Sequence, residues 1–393
     1  MILIKKIKEQ LKKFNWLYAV FRETLALKEQ RNSMWKNAVE LSQKKNMVQG
    51  SLLDYKRLMC RQRMSYNEYE AYQLWNLKDE DRKKYLSERE FQCVYRKTVT
   101  VGVAKCFDNK LMTHLRFGNF MRRAWICPSL SSFDTFCRFV SSYDCVFKPM
   151  KGSLGSGVFL VKKDEVADEK VLYEKCIKYG LIVEECVKSC KELEEFHPQS
   201  LNTIRVITMS KGGKVSVVSS LLRIGVGDSI VDNGAVGGIL APIDPDSGVI
   251  MDHGRDKVGN VFIQHPDSGK TIKGFVIPHW HKVIDACKEM VSVIPETVFA
   301  GWDLCVLDNG EVEVIEVNSC PNIMGSQITH GCGFKPRIQA IGNEVLGCNP
   351  LRLISIWSKP YTNYSEYTHY RKCAGNLDLL LKEYVDCLAK SKG

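Results

Sequence analysis

The feature that most constrains the fold is a glycine-rich segment between two apolar runs, VFKPMKGSLGSGVFLV at residues 146–161. The β-branched and aromatic residues on both sides predict two strands, so the glycines between them predict the tip of a hairpin. Because glycine lacks a Cβ atom, its backbone N–H groups can approach an anion closely. The segment therefore predicts either a flap over phosphate groups or an ordinary glycine-rich turn.

Two other phosphate-binding loops are excluded by the residues around these glycines. The P-loop has a lysine directly after its last glycine, whereas Val158 follows Gly157. The dinucleotide-binding loop opens a helix, whereas Val158–Val161 predicts a strand. Any phosphate at this segment would therefore lie under a hairpin and not at the start of a helix.

A second hairpin, GWDLCVLDNGEVEVIEVNSCPNIMG at residues 301–325, carries oxygen-bearing side chains. Strands are expected at 302–307 and 312–317, around an Asp-Asn-Gly turn. Alternate residues of a strand share a face, so Glu316 and Asn318 lie together and Asp303 lies opposite or diagonal to them. Two carboxylates and an amide suit Mg²⁺ with phosphate as a further ligand. The alternative is that these carboxylates simply face solvent.

Composition is that of an ordinary globular protein. The 393 residues are 45% hydrophobic and 26% charged, and no apolar run is as long as a membrane span. The 16 cysteines are scattered and form no Cys-x-x-Cys pair. This pattern favours free thiols in a reducing cytosol over disulfides or a zinc site, so we expect a cytoplasmic protein.

The net charge of +11 is concentrated at the N-terminus, where residues 1–50 hold 11 Lys and Arg against 4 Glu. Apolar residues at spacings of three and four form one helical stripe, namely Ile4, Ile7, Leu11, Phe14, Tyr18 and Phe21. Such a basic helix can lie on an anionic inner-membrane surface, or it can pack on its own protein with its lysines in solvent. No recognition motif accompanies the charge, so nucleic-acid binding is not expected.

The two hairpins occur in the order found in the ATP-grasp superfamily, which this chain resembles. In that fold two α+β subdomains grip ATP between them. Three segments are similar to the sugar-transfer-associated branch, which is found among bacterial surface-polysaccharide genes: HPQSLNTIRVITM at 197–209, LLRIGVGDSIVDNGAVGGILAPIDPDSG at 221–248 and HPDSGKTIKGFVIPHWHKV at 265–283. The resemblance spans residues 110–342.

The resemblance implies roles for the matched positions. For the nucleotide phosphates it implies Lys110, Lys148, Lys151, Gly152, Ser153, Gly155, Ser156 and Gly157. For adenine it implies the strand LIVEECV, with Glu184, Glu185 and Val187 at the hinge. For two Mg²⁺ ions it implies Asp303, Glu316 and Asn318, and for the acyl phosphate Arg205, Arg223 and Asn233. The ribose carboxylate stays open among Glu192, Glu194 and Glu195.

The activity implied by the resemblance is that of an ADP-forming carboxylate–amine ligase that uses ATP and Mg²⁺. It would activate a carboxylate, on a uronic-acid sugar or an amino acid, and join it to an amine during the biosynthesis of surface polysaccharide such as capsule or O-antigen. A small-molecule kinase of the same fold and a non-catalytic nucleotide-binding scaffold are alternatives. The oligomeric state stays open, with a dimer among the candidates.

Four parts are expected along this α+β chain. They are a helical N-terminal region at 1–95, a central ATP-grasp subdomain with the flap at 96–187, a C-terminal subdomain with the Mg²⁺ site at 188–345 and a helical tail at 346–393. Pro278 predicts the start of a helix over 278–293. Because Pro278 precedes them, we expect His279 and His281 to lie at the start of this helix and not to bind a metal.

Overall fold

The computed structural model describes residues 28–41, 52–152, 157–229, 232 and 237–355. The helices, in chain order, are α1 (28–41), α2 (Leu52–Gln62), α3 (Tyr66–Ala71), α4 (Asp79–Arg82), α5 (Glu88–Thr98), α6 (Val101–Phe107), α7 (Lys110–Phe117), α8 (Phe133–Ser142), α9 (Glu169–Tyr179), α10 (Lys191–Glu194), α11 (Trp280–Val293), α12 (Met324–His330) and α13 (Lys335–Val345). The strands are β1 (Trp125–Ile126), β2 (Cys145–Pro149), β3 (Phe159–Val161), β4 (Leu181–Glu185), β5 (Ile204–Lys211), β6 (Lys214–Ile224), β7 (Ile239–Pro242), β8 (Gly254–Arg255), β9 (Val261–Phe262), β10 (Phe299–Val306) and β11 (Val312–Asn318). Within the described residues, no helix is both long and apolar enough to cross a bilayer.

Packing divides the chain into two compact units. The first takes in the described residues of Met1–Ala104, Glu296–Phe299 and Asn322–Gly393, and the second comprises those of Lys105–Pro295 and Ala300–Pro321. The boundary expected after residue 95 falls inside α5, and the first division in the packing comes after Ala104. The four-part division stays a prediction, and residues 356–393 of the expected tail lie outside the described residues, as does the stripe from Ile4 to Phe21.

The first unit is helical, as the first quarter of the sequence predicts, and its core is rich in tyrosine. Tyr55 and Tyr69 are fully buried, and the Tyr55 and Tyr66 rings meet edge to face with centroids 5.3 Å apart. Serine caps begin two of its helices, since Ser65 and Ser87 each accept a hydrogen bond from the backbone of the glutamate three residues later. The caps fix where α3 and α5 start.

One amide side chain joins distant parts of this first unit. Gln327 of α12 donates to the Tyr72 hydroxyl at 2.9 Å and to the Leu86 carbonyl at 2.8 Å. Its carbonyl oxygen accepts from the backbone N–H groups of Leu86 at 2.8 Å and Phe334 at 3.0 Å. All of the polar capacity of this buried side chain is therefore satisfied.

Two glutamates of the first unit lie close together, Glu68 buried and Glu88 partly buried. The Glu68 carboxylate accepts from the backbone N–H of Ser65 at 2.8 Å and of Glu88 at 2.6 Å. The Glu88 carboxylate accepts from the backbone N–H of Ile323 at 3.3 Å. Burial and, second, the charge of Glu68 raise the pKa of Glu88 to about 7.

The second unit contains an antiparallel four-stranded sheet in the order β1-β4-β2-β3. Helices α8 and α9 pack on it around Phe136, Phe147, Cys176 and Val183. The apolar runs on either side of the glycines do form the paired strands β2 and β3, with Val146 opposite Leu160. The sequence prediction of a hairpin at this segment is confirmed.

A seven-stranded sheet in the order β11-β10-β5-β6-β7-β8-β9 forms the rest of the second unit's framework. Trp302 of β10 is fully buried against Phe107 and Phe117, with its indole N–H donated to Thr208 of β5 at 3.0 Å. The anchored indole fixes the position of β10. The next residue, Asp303, faces the opposite side of the sheet, so its position is fixed as well.

Helix α11 begins later than predicted. Its first residue is Trp280, and Pro278 precedes it by two positions. His279 occupies the capping position with a φ of 52°, and its side chain makes no capping hydrogen bond. Trp280 instead fixes the helix start, because its indole N–H donates to the Pro245 carbonyl at 3.0 Å.

Candidate functional site

The acidic hairpin is formed by β10 and β11 around the Asp-Asn-Gly turn. Asp303 lies directly opposite Glu316, and Gly301 lies opposite Asn318, so the three oxygen-bearing side chains share one face as predicted. A Cβ atom at Gly301 would lie 2.7 Å from the Pro321 side chain. Glycine is therefore needed at position 301, because Pro321 packs directly against it.

Asp303 is a buried carboxylate held by two arginines. Arg205 of β5 donates through Nε and Nη2 to its two oxygens, with the Nη2–Oδ2 distance 2.7 Å. Arg223 of β6 donates to Oδ2 at 3.0 Å. Burial would raise the pKa of Asp303, but the two guanidinium groups outweigh it and lower that pKa below its usual value. Asp303 therefore stays ionised.

Arg223 is shared between two carboxylates. Its second partner is Asp232, at 3.3 Å, and the other oxygen of Asp232 accepts the backbone N–H of Thr203 at 2.5 Å. Burial alone would lower the pKa of Arg223, whereas Asp232 and Asp303 raise it above its usual value. Sequence reasoning named the neighbour Asn233 and did not name Asp232, and an isolated acidic residue in SIVDNG at 229–234 gave no specific signal for it.

Lys110 reaches both predicted hairpins. The Asn109 side chain accepts from the backbone N–H of Leu111 at 2.9 Å and so starts α7 at Lys110. The Lys110 ammonium donates to the Gly152 carbonyl at 3.1 Å and lies 3.4 Å from the Glu316 carboxylate. Lys110 therefore lies next to Gly152, at the start of the glycine-rich segment, and next to Glu316 of the acidic hairpin.

Lys148 of β2 is paired with Glu184 of β4. The Nζ–Oε2 distance is 2.6 Å, and Glu184 also accepts from Arg123 Nε and His114 Nε2, each at 2.8 Å. Burial raises the pKa of Glu184, but Arg123, Lys148 and His114 together hold it well below its usual range. Burial lowers the pKa of His114 by more than Glu184 raises it, so the imidazole is neutral and donates from Nε2.

Arg123 connects the two sheets of the second unit. It binds Glu184 of β4 and, from Nη1, the buried carboxylate of Glu313 of β11. It also donates to the carbonyls of Val314 at 2.5 Å and Ile315 at 3.3 Å. Arg123 thus links strand β4 to strand β11 of the acidic hairpin. Sequence reasoning missed Arg123, Glu313 and His114, and the apolar residues around each gave only a weak signal.

The other residues of the predicted hinge occupy the end of β4. The Glu185 carboxylate accepts the backbone N–H of Ala124 at 3.0 Å, and Val187 follows the strand and is partly buried. The Glu184 side chain points into the buried charge cluster, so any contact of this residue with adenine would come from its backbone. That adenine role stays a prediction.

Part of the flap and of the expected acyl-phosphate pocket lies outside the described residues. This applies to Ser153, Gly155, Ser156 and Asn233. At the two ends of the flap, Gly152 has a φ of 142° and Gly157 a φ of 74°. Both values favour glycine. A Cβ atom at Gly157 would also lie 3.0 Å from the Pro149 ring. Lys151 is exposed beside Gly152.

Asp303, Glu316 and Asn318 are suitable donors for a hard cation. They offer two carboxylates and an amide. Oδ2 of Asp303 accepts from both arginines, whereas Oδ1 accepts from Arg205 and keeps a second lone pair. The Glu316 oxygen beside Lys110 also keeps a lone pair for a cation. No group of three or more His, Cys, Asp or Glu residues within the described ranges is arranged to hold a metal by itself. The donor set therefore fits Mg²⁺ whose remaining ligands come from phosphate.

Comparison with known proteins identifies a family. Residues 78–343 match the family described as sugar-transfer associated ATP-grasp. No curated protein matches the chain. The match to the family covers more than half of the chain, and the α+β ATP-grasp fold expected from the sequence is confirmed.

Several solved structures are distantly similar to the chain. The ADP complex of the N5-carboxyaminoimidazole ribonucleotide synthetase PurK has 12% identity and a TM-score of 0.36, over 55% of this chain and 45% of that one. An L-amino acid ligase from Bacillus licheniformis has 18% identity and a TM-score of 0.34, over 64% of this chain and 47% of that one. The ATP-grasp ligase PsnB with a minimal precursor has 12% identity and a TM-score of 0.38, over 63% of this chain and 63% of that one. The chain thus spans less than two thirds of each of these proteins.

Proposed function

Since the chain belongs to the sugar-transfer associated ATP-grasp family, we propose that it is an ATP- and Mg²⁺-dependent carboxylate–amine ligase. A carboxylate oxygen of the acid would attack the γ-phosphorus of ATP, giving an acyl phosphate and ADP. The amine would then attack the carbonyl carbon, lose a proton and displace inorganic phosphate. The observation that carries this proposal is the cross-strand pair of Asp303 and Glu316 beside Lys110, Arg205 and Arg223.

The nucleotide side of the proposed site is built from lysines and the flap. Lys110 and Lys148 would neutralise phosphate oxygens. The flap would cover the phosphates with Lys151, Gly152, Ser153, Gly155, Ser156 and Gly157. Glu184, Glu185 and Val187 would border adenine. Mg²⁺, two ions in this proposal, would be held by Asp303, Glu316 and Asn318 and would supply positive charge against the transferred phosphoryl group.

The acid side of the proposed site is the arginine pair. Arg205 and Arg223 present planar guanidinium groups beside Asp303, and such groups bind carboxylate or acyl phosphate oxygens in a fixed orientation. Asp232 and Asp303 hold Arg223 from two sides and so keep its donors in place. Asn233 would contribute a further polar contact. These residues would orient the reacting groups and stabilise developing negative charge.

The proposed substrates follow from the family's association with sugar transfer. We propose that the acid is a uronic-acid sugar or an amino acid and that the product belongs to surface polysaccharide, capsule or O-antigen, made in the cytoplasm. The amine acceptor has no proposed identity.

Release of ADP tests this function. Purified full-length protein is incubated with ATP, Mg²⁺ and a panel of uronic and amino acids, with and without amines. Amine-dependent ADP release with formation of an amide supports the ligase. A stable phosphorylated product without amine would show a kinase instead. ATP binding without ADP release from any pair would contradict catalysis and favour a nucleotide-binding scaffold.

A peripheral membrane contact is a separate proposal. It rests on the basic stripe from Ile4 to Phe21, because each lysine near an anionic surface contributes about 1 kcal/mol. Sedimentation with anionic vesicles checks it. Binding should disappear at high salt and when Lys5, Lys6, Lys8, Lys12 and Lys13 are neutralised, whereas equal recovery in the supernatant with and without vesicles would contradict the contact.

A further inference from the structure

A row of side chains crosses the seven-stranded sheet on the face that carries Asp303. Residues directly opposite each other in antiparallel strands share a face. Arg223, which contacts Asp303, lies opposite Leu240 of β7, and Leu240 lies opposite Arg255 of β8. Val261 of β9 continues the row. Two arginines, separated by one leucine, therefore lie on the same surface of the sheet.

This face is more open than the other side of the same strands. Leu240 and Arg255 are partly buried and Val261 is exposed, whereas their neighbours Ile239 and Ala241 are fully buried on the opposite face. The row thus lies on the accessible surface that leads away from the proposed reaction centre.

Arg255 differs from Arg223 in how its donors are used. Arg223 binds carboxylates at 3.0 and 3.3 Å. The ion pair that Arg255 makes is with Asp252, at 3.8 Å, which is longer than a hydrogen bond. The Arg255 Nε atom is buried without a hydrogen-bond partner in the structure. A buried donor without an acceptor is unfavourable. The Arg255 side chain as a whole is 27% exposed, so an anionic oxygen can approach its guanidinium group from the open face.

The spacing defines the ligand. Adjacent strands are about 4.8 Å apart, so the two arginine positions are separated by about 10 Å across β6, β7 and β8. Leu240 lies between them and offers only apolar contact. A ligand that binds both arginines must carry two anionic groups joined by a spacer with carbon–hydrogen surface.

We propose that Arg255 is a specificity-determining residue that binds a second anionic group of the acid substrate. The substrate would be an acid with one carboxylate near Arg205 and Arg223 and a further carboxylate or phosphate near Arg255. This inference rests on the proposed function for the identity of the first carboxylate, and it adds a substrate class that the family match does not supply.

Binding to defined anions tests this site without relying on turnover. The full-length protein is titrated by calorimetry with the dicarboxylates from succinate to suberate, the monocarboxylates of the same length and the corresponding phosphonocarboxylates. The variants are R255A and R255K, with K273A as the matched control, because Lys273 lies 3.7 Å from the same Asp252 and is half exposed. Thermal unfolding establishes that each variant is folded.

Wild type should bind a long diacid or phosphonocarboxylate at least about tenfold more tightly than the monoacid, from one charge-assisted contact. R255A should lose that preference, R255K should keep part of it, and K273A should keep all of it. The two series of dianions show whether carboxylate or phosphate is preferred. Equal or undetectable binding of monoacids and dianions by wild type, a preference retained in R255A, or one lost equally in K273A would overturn the inference.

A second measurement separates this inference from the proposed function. If R255A abolishes dianion preference in binding while no acid supports ADP release, the anion site stands and the ligase proposal fails. If acids support ADP release but R255A slows monoacids and dianions equally, the ligase proposal stands and the role of Arg255 is wrong.

Discussion

The two units contain carboxylates on which burial has opposite outcomes. In the first unit, Glu88 lies beside another carboxylate, that of Glu68, and burial raises its pKa to about 7. In the second unit, Glu184 and Asp303 are more deeply buried, yet their pKa values are lowered, because guanidinium and ammonium groups contact them directly.

Burial alone therefore does not decide the charge of a carboxylate in this protein. Arginine and lysine partners keep Glu184 and Asp303 of the second unit ionised, and an ionised carboxylate binds a cation, or holds a cation for phosphate, more strongly than a neutral one. The acids of the first unit accept backbone N–H groups at the starts of helices and fix local structure. The same side chain thus has two roles, set by its neighbours.

The largest expected effect is on Glu184. Glu184→Gln would leave Arg123 and Lys148 without their shared countercharge, and breaking a buried ion pair costs about 3–5 kcal/mol of unfolding free energy. Because the folded-state pKa of Glu184 is lowered, this loss is complete above the unfolded pKa of about 4.5 and diminishes as pH falls further. Urea unfolding at pH 7 measures it, with Glu185→Gln as the control. A loss below about 1 kcal/mol would contradict the assigned cluster.

The next effect concerns Glu316. Glu316→Gln keeps the shape of the side chain but removes a charge of the proposed Mg²⁺ site, so ATP-dependent turnover should fall at least about a hundredfold. Glu311→Gln is the control on the same hairpin, since Glu311 is partly exposed and pairs with Arg122, whose side chain is also partly exposed. Near-normal turnover in a folded Glu316→Gln variant, or wild-type turnover in excess chelator, would refute the site.

Glu88 should respond to the same substitution with the opposite sign. Its folded-state pKa is raised, so wild type loses stability as pH rises from about 4.5 through about 7. Glu88→Gln removes that loss. The variant should be more stable than wild type by about 2 kcal/mol at pH 8, after allowance for partial solvent access, and the difference should vanish near pH 5. Thermal unfolding at both pH values checks this. A difference independent of pH would contradict the burial of an ionisable carboxyl.

The smallest expected effect is that of Lys148→Ala. ATP should bind about tenfold more weakly, because one phosphate contact is lost. Stability should fall less than in Glu184→Gln, since Glu184 keeps Arg123 and His114. Calorimetric titration with ATP measures the affinity. Unchanged ATP binding by the folded variant would remove Lys148 from the nucleotide site.

The sequence predicted the parts of this protein that depend on local pattern. Glycine between β-prone runs located the β2–β3 hairpin, and strand periodicity placed Asp303, Glu316 and Asn318 on one face. It did not predict the partners of these groups. Arg123 and Glu313 are 190 residues apart and Arg205 and Asp303 are 98 apart, and a single sequence contains no periodicity that links residues so distant.

The charge of each buried acid was unpredictable for the same reason. Glu184 and Asp303 follow apolar residues in the sequence, and Glu88 lies in the polar run SERE at 87–90. In each case the three-dimensional neighbours decide whether the pKa is raised or lowered. Asp232 shows the limit at short range, because nothing in the residues around it indicates that it pairs with Arg223.

The Gln327 side chain bears on the order in which the protein is assembled. Its partners Tyr72 and Leu86 precede it by 255 and 241 residues, and it also receives the N–H of Phe334. A ribosome extends the chain from its N-terminus at about 5–20 residues per second. The N-terminal helices are therefore synthesised tens of seconds before the segment that completes their core. The strands of the second unit are synthesised during that interval. During that interval the tyrosine-lined surface is uncovered, and this is the stage of synthesis at which a chaperone would have the most to bind.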